Sequence, residues 1–203
     1  MRKLFIFLFF VSSQLFGQNF DIDFLKKVNL NRNSKFDPHM QFLTNTSDVV
    51  AIGTPAALLA VGFMKNDAAF KKEGMNAAMA VIGTYGVGYM LKKSINRNRP
   101  YLPYPFLQNY KIENDSSFPS GSTAVAFSAA TSLSLSYPKW YIIAPAALYA
   151  GGVGYSRLHL GVHYPSDVLA GALLGTGSAF VSRQLNKILL NQYRKRKVQK
   201  PTY

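Results

Sequence analysis

Residues 74–91 read GMNAAMAVIGTYGVGYML, eighteen residues without a charge, and Lys92-Lys93 closes the run. Four further uncharged stretches flank it: Val49–Met64, Phe118–Tyr137, Trp140–Ser156 and Val168–Ser182. They show no Val/Ile/Thr alternation and no hairpin dipeptides, so β structure is not expected and an all-α chain is. Composition agrees with a packed domain. Of the 203 residues 48% are hydrophobic and 16% charged, which excludes a disordered chain. The absence of Cys excludes disulfide scaffolds, zinc fingers and thiol chemistry.

The five stretches span 15 to 20 residues, astride the roughly 18–20 needed to cross hydrocarbon. Eight Ser/Thr in Phe118–Tyr137 and a mean hydropathy of +0.02 argue for the core of a soluble bundle. Charge placement decides the other way. The chain opens MRKLFIFLFFVSSQLFGQ, with Arg2 and Lys3 before an eight-residue apolar run and possible cleavage near Gly17, the layout of a secretory signal or an uncleaved anchor. From that start the first stretch runs inward to KNDAAFKKE (65–73), the third to a turn holding Lys139, and the fifth to a tail with seven Lys/Arg and no acid. All three inward segments are basic, as positive-inside bias requires. Gly83, Gly86 and Gly88, then Gly151, Gly152 and Gly154, and Gly171, Gly175 and Gly177 offer small faces for close helix contact.

The expected architecture is therefore an all-α integral membrane helical bundle with about five spans after the N-terminal signal or anchor. Its divisions are a signal or anchor at 1–17, a periplasmic amphipathic lead-in at 18–47, a core at 48–185 and a basic cytoplasmic tail at 186–203. A net charge of +14 points to an anionic partner. No nucleic-acid module accompanies it, so the tail NQYRKRKVQK reads as a lipid-facing anchor and the aromatics of YLPYPFLQNY (101–110) as an interfacial belt. One segment breaks the charge rule: the outward loop 92–117 holds five basic residues against two acids.

That loop opens KKSINRNRP, with Lys92 and Arg99 seven apart. Its far end is FPSGS, where Pro119-Ser120-Gly121 starts a helix, and SRLHLGVHYPSD closes the fourth stretch with Arg157, His163 and Asp167. All three segments lie at outward helix ends, so they can converge. Ser120-Gly121 would aim free backbone N–H groups at an anion. Lys92, Arg99 and Arg157 could neutralise one phosphoryl group, in place of a metal ion. His163 is a nitrogen nucleophile, and Asp167, four residues on, could hold its ring in the reactive tautomer. The constellation suits phosphoryl transfer through a phosphohistidine, with neither metal nor cofactor implied.

These motifs resemble those of the type 2 phosphatidic acid phosphatases, which share a core with bacterial acid phosphatases and vanadium haloperoxidases. The family pattern is Lys-x6-Arg-Pro, Pro-Ser-Gly-His and Ser-Arg-x5-His-x3-Asp. It is matched by Lys92…Arg99-Pro100, Pro119-Ser120-Gly121-Ser122 and Ser156-Arg157…His163…Asp167, over roughly residues 48–185. The resemblance implies phosphate binding by Lys92, Arg99, Ser120, Gly121 and Arg157, attack by His163 and support by Asp167. It implies a hydrolase of a lipid phosphate or diphosphate such as polyprenyl diphosphate, phosphatidic acid, phosphatidylglycerol phosphate or lipid A, and the secretory start with the positive-inside pattern places it in the bacterial inner membrane with its site toward the periplasm.

The second motif departs from the family: its proposed general acid, a His, is Ser122 here. A hydroxyl cannot act as an acid near neutral pH, and general acid catalysis is worth roughly 10²–10⁴-fold. A diphosphate, whose leaving group is itself a phosphate, needs the proton least. Alternatively His159 or a water supplies it, the chain binds phosphate without turnover, or the substitution is tolerated. A soluble periplasmic acid phosphatase and a non-catalytic phospholipid-binding protein are the rival readings.

Overall fold

The computed structural model describes residues 20–198; the signal or anchor expected at 1–17 and the last residues of the tail lie outside the described residues. Six α-helices account for most of it, with no strand among the described residues. They are α1 (20–30), α2 (Asp37–Met64, after a 3-10 turn at Ser34–Phe36), α3 (Ala68–Ile95), α4 (Gly121–Ser136), α5 (Trp140–His159) and α6 (Pro165–Val198).

Local chemistry sets the ends. Asp67 caps α3, its carboxylate accepting from the Ala69 and Phe70 N–H groups at 2.7 and 3.3 Å. Asn96 closes α3 in the left-handed conformation (φ 45°), its N–H returning to the Lys92 carbonyl. Pro165 opens α6, where no helical N–H is required.

Three-residue turns join α2 to α3 and α4 to α5 at one end of the bundle, where Phe70 and Tyr137 meet at 5.8 Å. The 25-residue loop 96–120 and the five-residue link 160–164 share the other end, where the Ser120 N–H donates to the Asp167 carbonyl. The short α4 packs against α2, α3, α5 and α6. This central position explains its hydroxyl-rich sequence: Thr123, Ser128 and Ser132 face other helices, not the surroundings of the bundle. Among the described residues only Ser34–Met64 is long and apolar enough, by length and composition, to qualify as a membrane span on its own.

The packing nevertheless has the order of a bundle dissolved in lipid. The interior is built of small residues, among them Ala51, Ala77, Ala80, Ala124, Ala126, Ala129 and Ala150. Large apolar side chains point outward, with Ile82 71%, Leu148 77% and Leu173 66% exposed. The α4–α6 seam depends on glycine: a Cβ at Gly175 would lie 2.0 Å from the Ala124 carbonyl oxygen, and one at Gly171 2.5 Å from that of Ser120. The other glycine groups serve less. Gly83, Gly86, Gly151 and Gly177 have no neighbour within 4 Å of a built Cβ, because they face away from the helix contacts.

Residues 18–47 divide differently from a simple lead-in, since α2 already begins at Asp37. In α1, Leu25 is buried with Ile22 and Val28 packed beside it, Asp21 and Asn29 are buried as well, and Phe20 and Leu30 are exposed. Leu25 joins Leu107, Leu158 and Tyr164 in a cluster that seats α1 on the loop end of the bundle.

Candidate active site

Besides the loop 96–120, which carries Arg99, five elements deliver their side chains to the loop end. The last turns of α3 and α5 supply Lys92 and Arg157, and the start of α4 supplies Ser120, Gly121 and Ser122. The link 160–164 supplies His163, and the first turn of α6 supplies Asp167. Arg99, Arg157, Ser120, His163 and Asp167 are all buried.

The imidazole of His163 is held from both sides. Its Nε2 lies 3.3 Å from Arg99 Nη1, a group that only donates, so Nε2 carries the lone pair. Its Nδ1 faces Ser117 Oγ at 3.4 Å and Asp167 Oδ2 at 3.6 Å. Asp167 is fixed in turn: Ser117 Oγ and the Tyr164 N–H (2.9 Å) donate to Oδ2, and Arg97 Nη1 donates to Oδ1 at 2.6 Å. Burial, reinforced by the charges of Arg157 and Arg99 and opposed by Asp167, lowers the His163 pKa to about 4. The ring is neutral at neutral pH with one nitrogen bare toward the cations, the state in which an imidazole is a nucleophile.

Around it stand Lys92, Arg99 and Arg157, each paired with a loop carboxylate that the sequence reading passed over. Glu113 Oε1 accepts from Arg157 Nη2 at 2.9 Å, and Oε2 lies 3.7 Å from Arg99 Nη2. Asp115 pairs with Lys92 at 2.9 Å and with Arg99. Burial would raise Asp115, but Lys92 and Arg99 outweigh it and hold the carboxyl at about 2; Arg157 and Arg99 depress Glu113 likewise. Side-chain donors of all three cations are thus held by two internal carboxylates, which an anion taking those donors would have to displace. The signal was present in the sequence, since Glu113 and Asp115 are the two acids of the otherwise basic loop.

Three more participants were not legible. Ser117 bridges Asp167 and His163. Arg97 stacks on Tyr164 at 3.9 Å and joins Asp167 to Asp21 of α1. Asp21 also accepts from the Ser166 N–H at 2.9 Å. Ser120 Oγ pairs with Thr123 at 2.8 Å. Ser122 lines a cavity of about 300 Å³ with Lys92, Asp115, Gly121 and Tyr85. His159 sits apart from the clamp: its Nε2 lies 2.9 Å from Asp37, which Arg32 also holds, and its carbonyl accepts from Asn29.

Comparison with known proteins follows the same residues. An undecaprenyl-diphosphatase of Sulfolobus acidocaldarius is 29% identical over 170 residues, 82% of this chain and 78% of that protein. The crystal structure of Aquifex aeolicus LpxE superposes with a TM-score of 0.71 at 28% identity, covering 81% of this chain and 95% of the other. A transmembrane PAP2 type phosphatidylglycerolphosphate phosphatase from Bacillus subtilis shares the fold, with a TM-score of 0.69 at 23% identity over 91% and 94% of the two chains. The sequence profile of the PAP2 superfamily matches residues 73–189, which include the three cations, the helix start at Ser120-Gly121 and the His163–Asp167 pair. With more than half of its length and its whole buried clamp inside that match, the chain is a member of the PAP2 superfamily of phosphatases.

Proposed function

We propose that this protein hydrolyses a lipid phosphate or diphosphate, without metal, through a phosphohistidine formed on His163. The observation that carries the reading is the neutral imidazole with Nε2 3.3 Å from Arg99 and Nδ1 turned to Ser117 and Asp167. The phosphoryl group displaces Glu113 and Asp115 from Lys92, Arg99 and Arg157, and the Gly121 N–H at the start of α4 binds a remaining oxygen, the Ser120 N–H being already held by the Asp167 carbonyl. Nε2 attacks phosphorus in line while Asp167 stabilises the charge that develops on the ring. Water then attacks the phosphohistidine and frees phosphate.

Ser122 favours a diphosphate, which leaves without a strong acid, and the Sulfolobus relative named an undecaprenyl-diphosphatase supports that choice. We assign α2–α6 as five spans behind the signal or anchor at 1–17, with the catalytic core at 48–185 and the basic tail at 186–203. Lys65, Lys71, Lys72 and Lys139 belong to the end opposite the clamp, which supports a site on the periplasmic face of the inner membrane.

The test is phosphate release by purified protein from a polyprenyl diphosphate and from phosphatidic acid, with chelator present. Release from either is expected. Loss of all activity on chelation would defeat the metal-free mechanism, and no release at all would favour a phosphate-binding protein. Release of the protein from membranes into a carbonate wash would defeat the five spans.

A further inference from the structure

We propose that Asp115 protonates the leaving oxygen, taking the part that the histidine of the second motif plays in the family and that Ser122 cannot play here. The inference rests on the phosphohistidine reading above and adds the missing proton donor to it. Asp115 and Ser122 line the same cavity of about 300 Å³, so a carboxyl stands on the side where the second-motif side chain would act. The Arg99 guanidinium lies between the two reacting sides: Nη1 faces His163 Nε2, while Nη2 faces Asp115. Attack from one side and departure on the other is the relation in-line transfer requires.

Asp115 can change partners without losing its place. Its carbonyl accepts from Arg99 Nε at 2.9 Å, Ser116 Oγ donates to the Lys92 carbonyl at 2.8 Å, and the Ser117 N–H donates to the Arg97 carbonyl at 2.8 Å. The backbone is thus anchored while the side chain, 54% exposed, rests on the two cations a phosphoryl group needs. Paired with them, the carboxyl is fully ionised and no acid. Once a phosphoryl group neutralises Lys92 and Arg99, the same carboxyl lies beside a negative charge with its own counter-ions taken, and it binds a proton. Substrate binding therefore arms the acid. Glu113 is the poorer candidate because it is tied to Arg157 and does not line the cavity with Ser122.

The proton balance closes. As the bond from Nε2 to phosphorus forms, the bond from phosphorus to the leaving oxygen breaks and that oxygen takes the proton from Asp115. In the second half the Asp115 carboxylate takes a proton from the attacking water, the bond from phosphorus to Nε2 breaks, and phosphate departs.

The full chain in detergent micelles, assayed on dioctanoyl phosphatidic acid and on farnesyl diphosphate, tests this. Asp115→Asn should lower kcat on the monoester by about 10²-fold or more, lower it less on the diphosphate, and remove the alkaline limb of the kcat–pH profile. Asp115→Glu should retain most of the activity, and Ser122→His should restore monoester turnover to Asp115→Asn. Binding of inorganic phosphate to Asp115→Asn, undiminished or tighter, shows that the clamp is still formed. The proposal is overturned if Asp115→Asn keeps kcat and merely lowers KM, the behaviour of a displaced plug, or if Ser122→His gives no rescue. A wild-type protein inactive on both lipids overturns it together with the function it rests on, whereas an active wild type with unaffected Asp115→Asn overturns it alone.

Discussion

At the loop end of the bundle Arg99 and Arg157 are 2% and 3% exposed, and each is bonded to a carboxylate of the loop. At the opposite end the Arg183 side chain is 40% exposed and reaches Glu73 at 3.5 Å. Both ends are rich in cations, yet only one makes a site. The difference lies in connection length. Among the described residues, three-residue turns leave little chain to cover the opposite end, where the Arg183 side chain stays partly exposed over a Glu73 that is 13% exposed. The 25-residue loop and α1 cover the other end and lower the dielectric around it. There each cation needs a partner, and each has an internal carboxylate.

The sharpest way to break this contrast is at the ring that only the covered end contains. His163→Ala should abolish turnover, by at least about 10³-fold in kcat, while the protein still binds inorganic phosphate through Lys92, Arg99 and Arg157. Residual turnover near the wild-type rate would remove the phosphohistidine from the mechanism.

Next in size is the seam that serves both ends. Gly175→Ala places a Cβ against the Ala124 carbonyl and should cost about 1–3 kcal/mol or more in unfolding stability. Gly177→Ala, with open space around it, should cost little, and thermal unfolding in detergent compares the two. Equal effects would mean that the seam does not depend on glycine.

The covered end should also betray itself by pH. His163 takes up its proton in the folded protein near 4, well below the 6.5 of an unperturbed imidazole. Turnover needs the neutral ring, so kcat/KM should hold through pH 6 and fall as pH drops through about 4. Between these values the unfolded chain binds the proton and the folded one does not, so His163 makes stability decline as pH falls from about 6.5 to 4. Arg157→Gln removes one of the depressing charges and should move the acid limb upward. A limb at 6.5 in the wild type would mean that the site is open to water. The smallest effect belongs to the exposed end. Arg183→Gln should change stability by less than about 1 kcal/mol and leave kcat within about twofold, read by the same unfolding and release assays.

The five long helices were legible because their uncharged runs and bounding charges are local features of the sequence. The clamp was legible for the same reason: Lys92, Arg99, Arg157, His163 and Asp167 sit in short motifs at helix ends. Its partners were less so: Glu113 and Asp115 were marked only as the two acids of a basic loop, and the others by nothing local. Glu113 and Asp115 are acids where an anion should bind, which charge complementarity alone would reject; their presence makes sense only once the bare cations are seen to be buried. Asp21 lies 76 residues from Arg97 and inside a polar segment that read as a lead-in, and nothing local ties the two together. The glycines show the same limit. Spacing marks all three groups alike, but only the packing tells Gly175 from Gly177.

The central position of α4 bears on how the protein is made. The helix that carries Ser120 and Gly121 is the shortest of the five long ones, and two of the four helices it packs against, α5 and α6, come after it in the chain. Arg157, His163 and Asp167 come from the same late segments. A nascent chain emerging from the ribosome therefore holds α4 with α2 and α3 but without α5 and α6 until α6 has been synthesised, and no phosphohydrolase competence exists before that step. Biogenesis and activation coincide, since the same helix that completes the fold closes the clamp.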